Sequence, residues 1–254
     1  MTPDSTLLSL RGVSKSFGKI EALRGVDLDI RSGEIVALVG DNGAGKSTLI
    51  KIITGVHRPT TGEIFFKGRR ITIHSVRRSR ELGIETVYQE RALADQQSLW
   101  RNIFAGREIA GVLGFMDLKQ QRRETERLLR EHMGFTSAAI DVDSEVMTLS
   151  GGEKQGIAIA RALHFDAELI ILDEPTMGLS LKETERVLDF VRAITRQGKS
   201  AIFIDHNIFH VYDVADRFAI LDRGRLVAQF DKSALSRDAL IQKMVQLHDQ
   251  GTLQ

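Results

Sequence analysis

An α/β fold built on a buried, mostly parallel sheet is predicted by three observations in this 254-residue sequence. Three continuous apolar runs, EIVALVG at 34–40, ELIILD at 168–173 and SAIFI at 200–204, lack the alternation of a half-exposed strand. They read as strands covered on both faces. Helical patterns separate them, as a parallel sheet requires. The first run also ends in glycine and passes directly into GDNGAGKST at 40–48 and a helix-like stretch. Strand, glycine loop and helix in that order form a phosphate-binding unit.

The remaining elements follow from local pattern. Residues 7–11, 26–30 and 63–67 alternate or are β-rich, with turn signals at Ser32-Gly33 and Lys67-Gly68. They predict a small, mostly antiparallel sheet. The helix that opens in the glycine loop stops at Gly55, a C-cap signal. Residues 119–132, KQQRRETERLLREH, carry a sparse apolar stripe suited to a surface helix, and 152–164 place apolar groups at 157, 159, 160 and 163. Residues 181–196 and 237–248 are also helical in pattern, and 218–229 read as a hairpin turning at Arg223-Gly224. The expected organisation is a single domain, 1–254. A core with its β subdomain takes approximately 1–91 and 149–254. The block from 92 to 148 is a helical subdomain inserted into it.

Composition narrows the function. Thirty-five basic residues balance 34 acidic ones, giving a net charge of +1 and no reason to expect nucleic acid as a partner. There is no cysteine, which excludes disulfides and thiolate metal sites. No run approaches the ~20 apolar residues of a spanning helix, and the start, MTPDSTLLSLRG, lacks the pattern of a secretory signal. A chain made and kept inside the cell is expected, so at a membrane another protein must span it.

Residues Gly40 to Ser47 fit GxxxxGK[ST] in full. Gly40, Gly43 and Gly45 let the backbone curl until successive N–H groups face a phosphate, with Asn42, Ala44 and Thr48 completing the loop and the first helical turn. Lys46 reaches the β and γ oxygens of ATP, and Ser47 offers a hydroxyl to Mg²⁺. Such a loop needs a carboxylate at the end of another buried strand. Asp173 meets that need, and Glu174 after it can polarise the attacking water.

A second glycine signal, LSGGE at 149–153, lies 23 positions before Asp173, counted from Ser150 (173 − 150). With the glycine loop and Asp173-Glu174 it makes the chain resemble the ATP-binding cassette (ABC) family over essentially its whole length. The resemblance implies a P-loop NTPase (RecA-like) parallel-sheet core with an antiparallel β subdomain and an inserted helical subdomain. It also implies a head-to-tail pair of copies in which Ser150, Gly151 and Gly152 of one chain complete the ATP site of the other. Three further positions carry over. Phe17 stands where an aromatic stacks on adenine, the alternative being a core side chain. Gln89 stands where a glutamine senses Mg²⁺ and the water. His206, after the run at 200–204, stands where a histidine binds the γ-phosphate. Two positions depart from the pattern: Ser180 replaces an aspartate that couples the two sites, and Asp205 replaces a serine or threonine.

VYQERALA at 87–94, GLSLKETERVL at 178–188 and IDHNIFHVYDVADRFAIL at 204–221 resemble the ATP-binding subunits of ribose- and fructose-type sugar importers. Many members of that branch fuse two cassettes in one chain; this sequence has one, so a homodimer is expected, on the cytoplasmic face of the inner (plasma) membrane. Transmembrane permease subunits would be its partners, with a periplasmic substrate-binding protein acting through them. Residues 90–106 would help form the permease groove, with subdomain core as the alternative for Leu99, Trp100 and Phe104. Transport of lipid, amino acid or metal stays open as another cargo. Ribosome-acting and chromosome-structuring ABC ATPases fit less of the sequence, because neither a second cassette nor long heptads are present.

Overall fold

The computed structural model describes residues 6–87, 93–111, 114–133 and 141–250. By internal packing the chain divides into two compact units. One holds the residues up to Thr86, Ala167–Glu174 and those from Val191 onward; the other holds Val87–Asp166 and Pro175–Phe190.

The first unit opens with a long antiparallel hairpin, β1 (Thr6–Phe17) and β2 (Ile20–Arg31), turning at Gly18-Lys19. Leu8, Leu10 and Val13 of one strand and Val26, Leu28 and Ile30 of the other are buried. Both strands run well past the apolar stretches that predict them. Backbone pairing continues through polar residues after a register shift between Leu10 and Val13. β3 (Ile35–Val39) is wholly buried, and α1 (Lys46–Ile53) follows the glycine loop. Gly55, at φ +76°, ends that helix as expected. β4 (Thr61–Phe66) and β5 (Arg69–Ile71) form a second hairpin, which gives the small sheet the order β2-β1-β4-β5. α2 (Val76–Glu81), capped by Ser75, leads to β6 (Ile84–Val87).

In the second unit α3 (Leu99–Phe104), α4 (Leu118–Met133) and α5 (Gly151–His164) enclose their own core of Leu99, Ile103, Phe104, Leu128, Val146 and Ile157. Asn102 is buried there and fully used. It accepts from the Ala94 N–H and donates to the carbonyls of Ala94, Gln97 and Ser98.

The chain then supplies β7 (Leu169–Asp173), α6 (Leu181–Arg196), β8 (Ser200–Ile204), α7 (Ile208–Val214), β9 (Arg217–Asp222), β10 (Arg225–Asp231) and α8 (Arg237–Gln250). The large sheet has the order β10-β9-β3-β8-β7-β6. β3 pairs parallel with β8 and β9, β7 pairs parallel with β8, and the hairpin β9–β10 is antiparallel. The α/β expectation therefore holds, with the antiparallel sheet beside it. Among the described residues no helix is long and apolar enough to cross a membrane.

One buried ion pair ties the start of β9 to the turn between β2 and β3. Arg217 Nη2 lies 2.8 Å from Glu34 Oε1, and both side chains are almost fully enclosed. Removing one partner leaves an uncompensated charge inside. Glu34→Ala is expected to lower stability by about 3 kcal/mol. Urea denaturation measures this, and an unchanged midpoint would refute it.

Candidate functional site

The glycine loop leaves the C-terminal end of β3, near the middle of the large sheet. Close approach dictates two of its glycines. A Cβ on Gly40 would come within 2.1 Å of the Leu221 carbonyl oxygen, and one on Gly45 within 2.8 Å of the Ala22 carbonyl oxygen. Gly43 has open space around it but a φ of +83°, so there the backbone turn itself favours glycine. Ala44 is different. Its side chain is buried in the core, its N–H donates to the Asp41 carbonyl at 3.1 Å, and its carbonyl accepts from the Gly224 N–H at 2.8 Å. The Gly224 carbonyl in turn accepts from the Arg24 N–H at 2.8 Å.

Lys46 folds back over this loop. Its Nζ donates to the carbonyls of Gly40 at 2.6 Å and Asp41 at 3.0 Å. Burial lowers its pKa, opposed by the nearby charges of Glu174, Asp41 and Asp173. Asn42, Gly43, Gly45, Lys46, Ser47 and Thr48 line a cleft of about 180 Å³ together with Asp173 and Glu174. The cleft walls are polar main-chain and charged groups, the surroundings a polyphosphate requires.

Asp173 and Glu174 reach the cleft from the end of β7. Burial, and then repulsion from Glu174, raises the Asp173 pKa, while Lys46, His206 and Lys51 oppose the rise. This surplus of negative charge, with a hydroxyl on Ser47, is a hard-oxygen donor set that fits Mg²⁺. Glu174 adopts φ +52°, a left-handed conformation that costs a side-chain-bearing residue about 1–2 kcal/mol. Its N–H donates to the Ile204 carbonyl at 2.8 Å, which anchors the strained turn to the end of β8. Its Oε1 lies 2.6 Å from Nε2 of His206. His206 is half exposed just beyond β8. Asp205, the unusual residue before it, accepts from the Asn207 N–H at 2.8 Å, and Asn207 caps α7 through the Phe209 N–H. The substitution therefore builds the turn that presents His206.

Phe17 stands at the end of the β1–β2 hairpin with 44% of its surface exposed, so it is not a core residue. His57 meets its ring edge-on at 5.2 Å, and Lys15 Nζ lies 5.1 Å from its centroid. Sequence alone leaves His57 among the surface histidines, because nothing local links it to a residue forty positions earlier. Gln89 lies outside the described residues.

In the second unit Ser150, Gly151 and Gly152 open α5. The Ser150 hydroxyl accepts from the Glu153 N–H at 3.3 Å, and the Glu153 carboxylate accepts from the Ser150 N–H at 2.9 Å, a closed capping box. For Leu99, Trp100 and Phe104 the sequence leaves a permease groove and subdomain core as alternatives. Leu99 is core, whereas Trp100 and Phe104, though buried, border an apolar cleft of about 390 Å³ with Arg101, Met116 and Leu118.

Comparison with known proteins is consistent with this geometry. The family described as ABC transporter matches residues 23–177. The xylose/arabinose import ATP-binding protein of Sulfolobus acidocaldarius is 42% identical over 240 residues, covering 94% of each chain. A ribose import ATP-binding protein of Rubrobacter xylanophilus is 40% identical over 239 residues, covering 94% of this chain but 47% of that one, so the chain spans about half of that relative. A dimeric, post-hydrolysis structure of an ATP-binding cassette bound to ADP and Pi superposes with a TM-score of 0.73 at 25% identity, covering 89% of this chain and 99% of that one.

The raised pKa of Asp173 has a testable sign. A carboxylate whose folded pKa lies above its unfolded value destabilises the fold while ionised, and the penalty fades as pH falls below that unfolded value. Asp173→Asn is expected to raise the thermal midpoint of the nucleotide-free protein by about 1–3 °C at pH 7, with the difference closing toward pH 4. Melting curves at the two pH values measure it; a lower midpoint at pH 7 contradicts it.

Proposed function

The chain belongs to the ABC transporter family, and on that premise we propose that it is the MgATP-hydrolysing subunit of a monosaccharide importer. It is an ATP hydrolase with the fold of an ABC cassette. The observation that carries the catalytic reading is the 2.6 Å pairing of Glu174 with His206 beside Lys46 and Asp173.

In the proposed mechanism Lys46 exchanges the carbonyls of Gly40 and Asp41 for the β and γ oxygens of ATP, and loop N–H groups of Gly43, Gly45 and Ser47 cradle the phosphates. Ser47 and Asp173, with Gln89, would hold Mg²⁺, which would supply positive charge to offset the charge of the transferring γ-phosphoryl group. Glu174 takes the proton of the attacking water. His206 keeps Glu174 oriented and donates to a γ-phosphate oxygen. The water oxygen bonds to phosphorus, the bond to the β–γ bridging oxygen breaks, and ADP is the leaving group. Phe17 offers an exposed ring face to adenine.

Ser150, Gly151 and Gly152 of a second copy would close over the γ-phosphate, so that two ATP molecules join two chains head to tail. The dimeric relative bound to ADP and Pi supports this pairing. The apolar cleft beside Trp100, Phe104 and Met116 would receive a cytoplasmic helix of a permease. Sugar as cargo is supported by the import names of the relatives from Sulfolobus and Rubrobacter. A peripheral place on the cytoplasmic face of the inner membrane follows, with a periplasmic substrate-binding protein acting through the permease.

Three measurements test this reading. Glu174→Gln should hold an ATP-dependent dimer and reduce hydrolysis by at least about 100-fold; adding Ser150→Arg should return the protein to monomer by light scattering. A stable dimer of the double variant would sink the head-to-tail arrangement. Affinity capture of the tagged chain from detergent-solubilised native membranes should bring down a polytopic membrane protein; recovery of ribosomal proteins instead would reject the transport role. Finally, a cysteine replacing Arg101 at the cleft rim should crosslink to that membrane protein, and failure under every nucleotide condition would remove the cleft as its docking place.

A further inference from the structure

We propose that Glu183 is an internal occupant of the signature loop, its carboxylate holding the place of the γ-phosphate until a nucleotide-loaded second copy displaces it. The inference rests on the head-to-tail reading above and adds a regulator to that site. Glu183 lies in the first turn of α6. Its Oε2 accepts from the Ser180 hydroxyl at 2.7 Å and the Ser180 N–H at 3.0 Å, while its Oε1 accepts from the Gly152 N–H at 3.3 Å. The Ser150 side chain also helps to lower the pKa of this carboxylate. Gly152 is one of the groups assigned to the partner's phosphate, and its N–H already touches an anion of this chain.

The close approach is built into the backbone. A Cβ on Gly151 would meet Leu179 Cδ2 at 2.6 Å, and one on Gly152 would meet Glu183 Cβ at 2.9 Å. The two glycines therefore let the 179–183 segment lie against the start of α5. A 14-residue helix beginning there favours negative charge at its first turn. The carboxylate accordingly stays ionised, its pKa driven down to about 2 by the Ser180 hydroxyl and by the N–H groups of Ser180 and Gly152. A phosphate oxygen and Glu183 Oε1 cannot share the Gly152 N–H, and their charges repel. Release is feasible because Oε2 keeps its bonds to Ser180 while Oε1 swings away. Ser180, standing where the family pattern has an aspartate, thus becomes the hinge of the latch.

The test uses Glu174→Gln protein, in which hydrolysis is blocked, and follows dimer formation by light scattering against ATP concentration. Adding Glu183→Gln removes the charge yet keeps a side chain able to close the same helix cap; a single cooperative melting transition confirms folding. The latch requires half-dimerisation at an ATP concentration at least about threefold lower than in Glu174→Gln alone. An equal or higher concentration overturns it, because Glu183 would then be neutral or would position the loop for phosphate, while the head-to-tail reading stands. If Glu174→Gln alone never dimerises with ATP, that reading fails and the latch fails with it.

Discussion

The chemistry of this molecule depends on β8 lying between β3 and β7 with all three strands parallel. Parallel strands deliver their C-terminal ends to one edge of a sheet, and in open α/β sheets ligands bind there. The glycine loop lies well over a hundred residues before the Asp173-Glu174 pair and His206 in the chain, yet each of the three stands at or just beyond the end of one of these strands. The strained turn at Glu174 is held by the carbonyl of Ile204 next door, so sheet pairing also helps to set the distance from Glu174 to His206. A register slip of one residue in β7 would reverse which side chains face the cleft.

The parts of this arrangement that were legible in the sequence share one property: they are local. Continuous apolar runs mark β3, β7 and β8 because double-sided burial leaves no polar alternation. The glycine loop is legible because three conformational demands fall within six residues. What escaped was either short or non-local. β5 and α2 are only three and six residues long, too short for periodicity to register. The outer halves of β1 and β2 mix buried Val13 and Leu23 with polar residues in no regular alternation, so backbone pairing rather than pattern extends the strands there. His57 reaches Phe17 across a distance in sequence that no pattern spans. Glu183 did leave a local mark, since Ser180 and Glu183 have the spacing of a helix cap, but the second hydrogen bond that reaches α5 could come only from packing.

Charge in the nucleotide cleft is arranged for a ligand rather than for the empty fold. Asp173 is pushed toward its neutral form, Lys46 is partly stripped of water, and Glu174 sits in a backbone conformation it does not prefer. Each feature opposes stability in isolation, and functional sites collect such features when the surrounding scaffold is rigid enough to impose them. Here the scaffold is the large sheet with its wholly buried central strands.

The bracing of the glycine loop by the turn between β9 and β10 has a further consequence. Ala44 and Arg24, from the first fifth of the chain, meet at Gly224, and Gly40 lies against the carbonyl of Leu221. During synthesis the ribosome exports residues 40–48 long before residues 221–224. The nascent chain therefore carries the full phosphate-binding motif without the support that shapes it. Competence to bind nucleotide arrives late and abruptly, when the last hairpin emerges, so a chain stalled short of that point cannot sequester ATP.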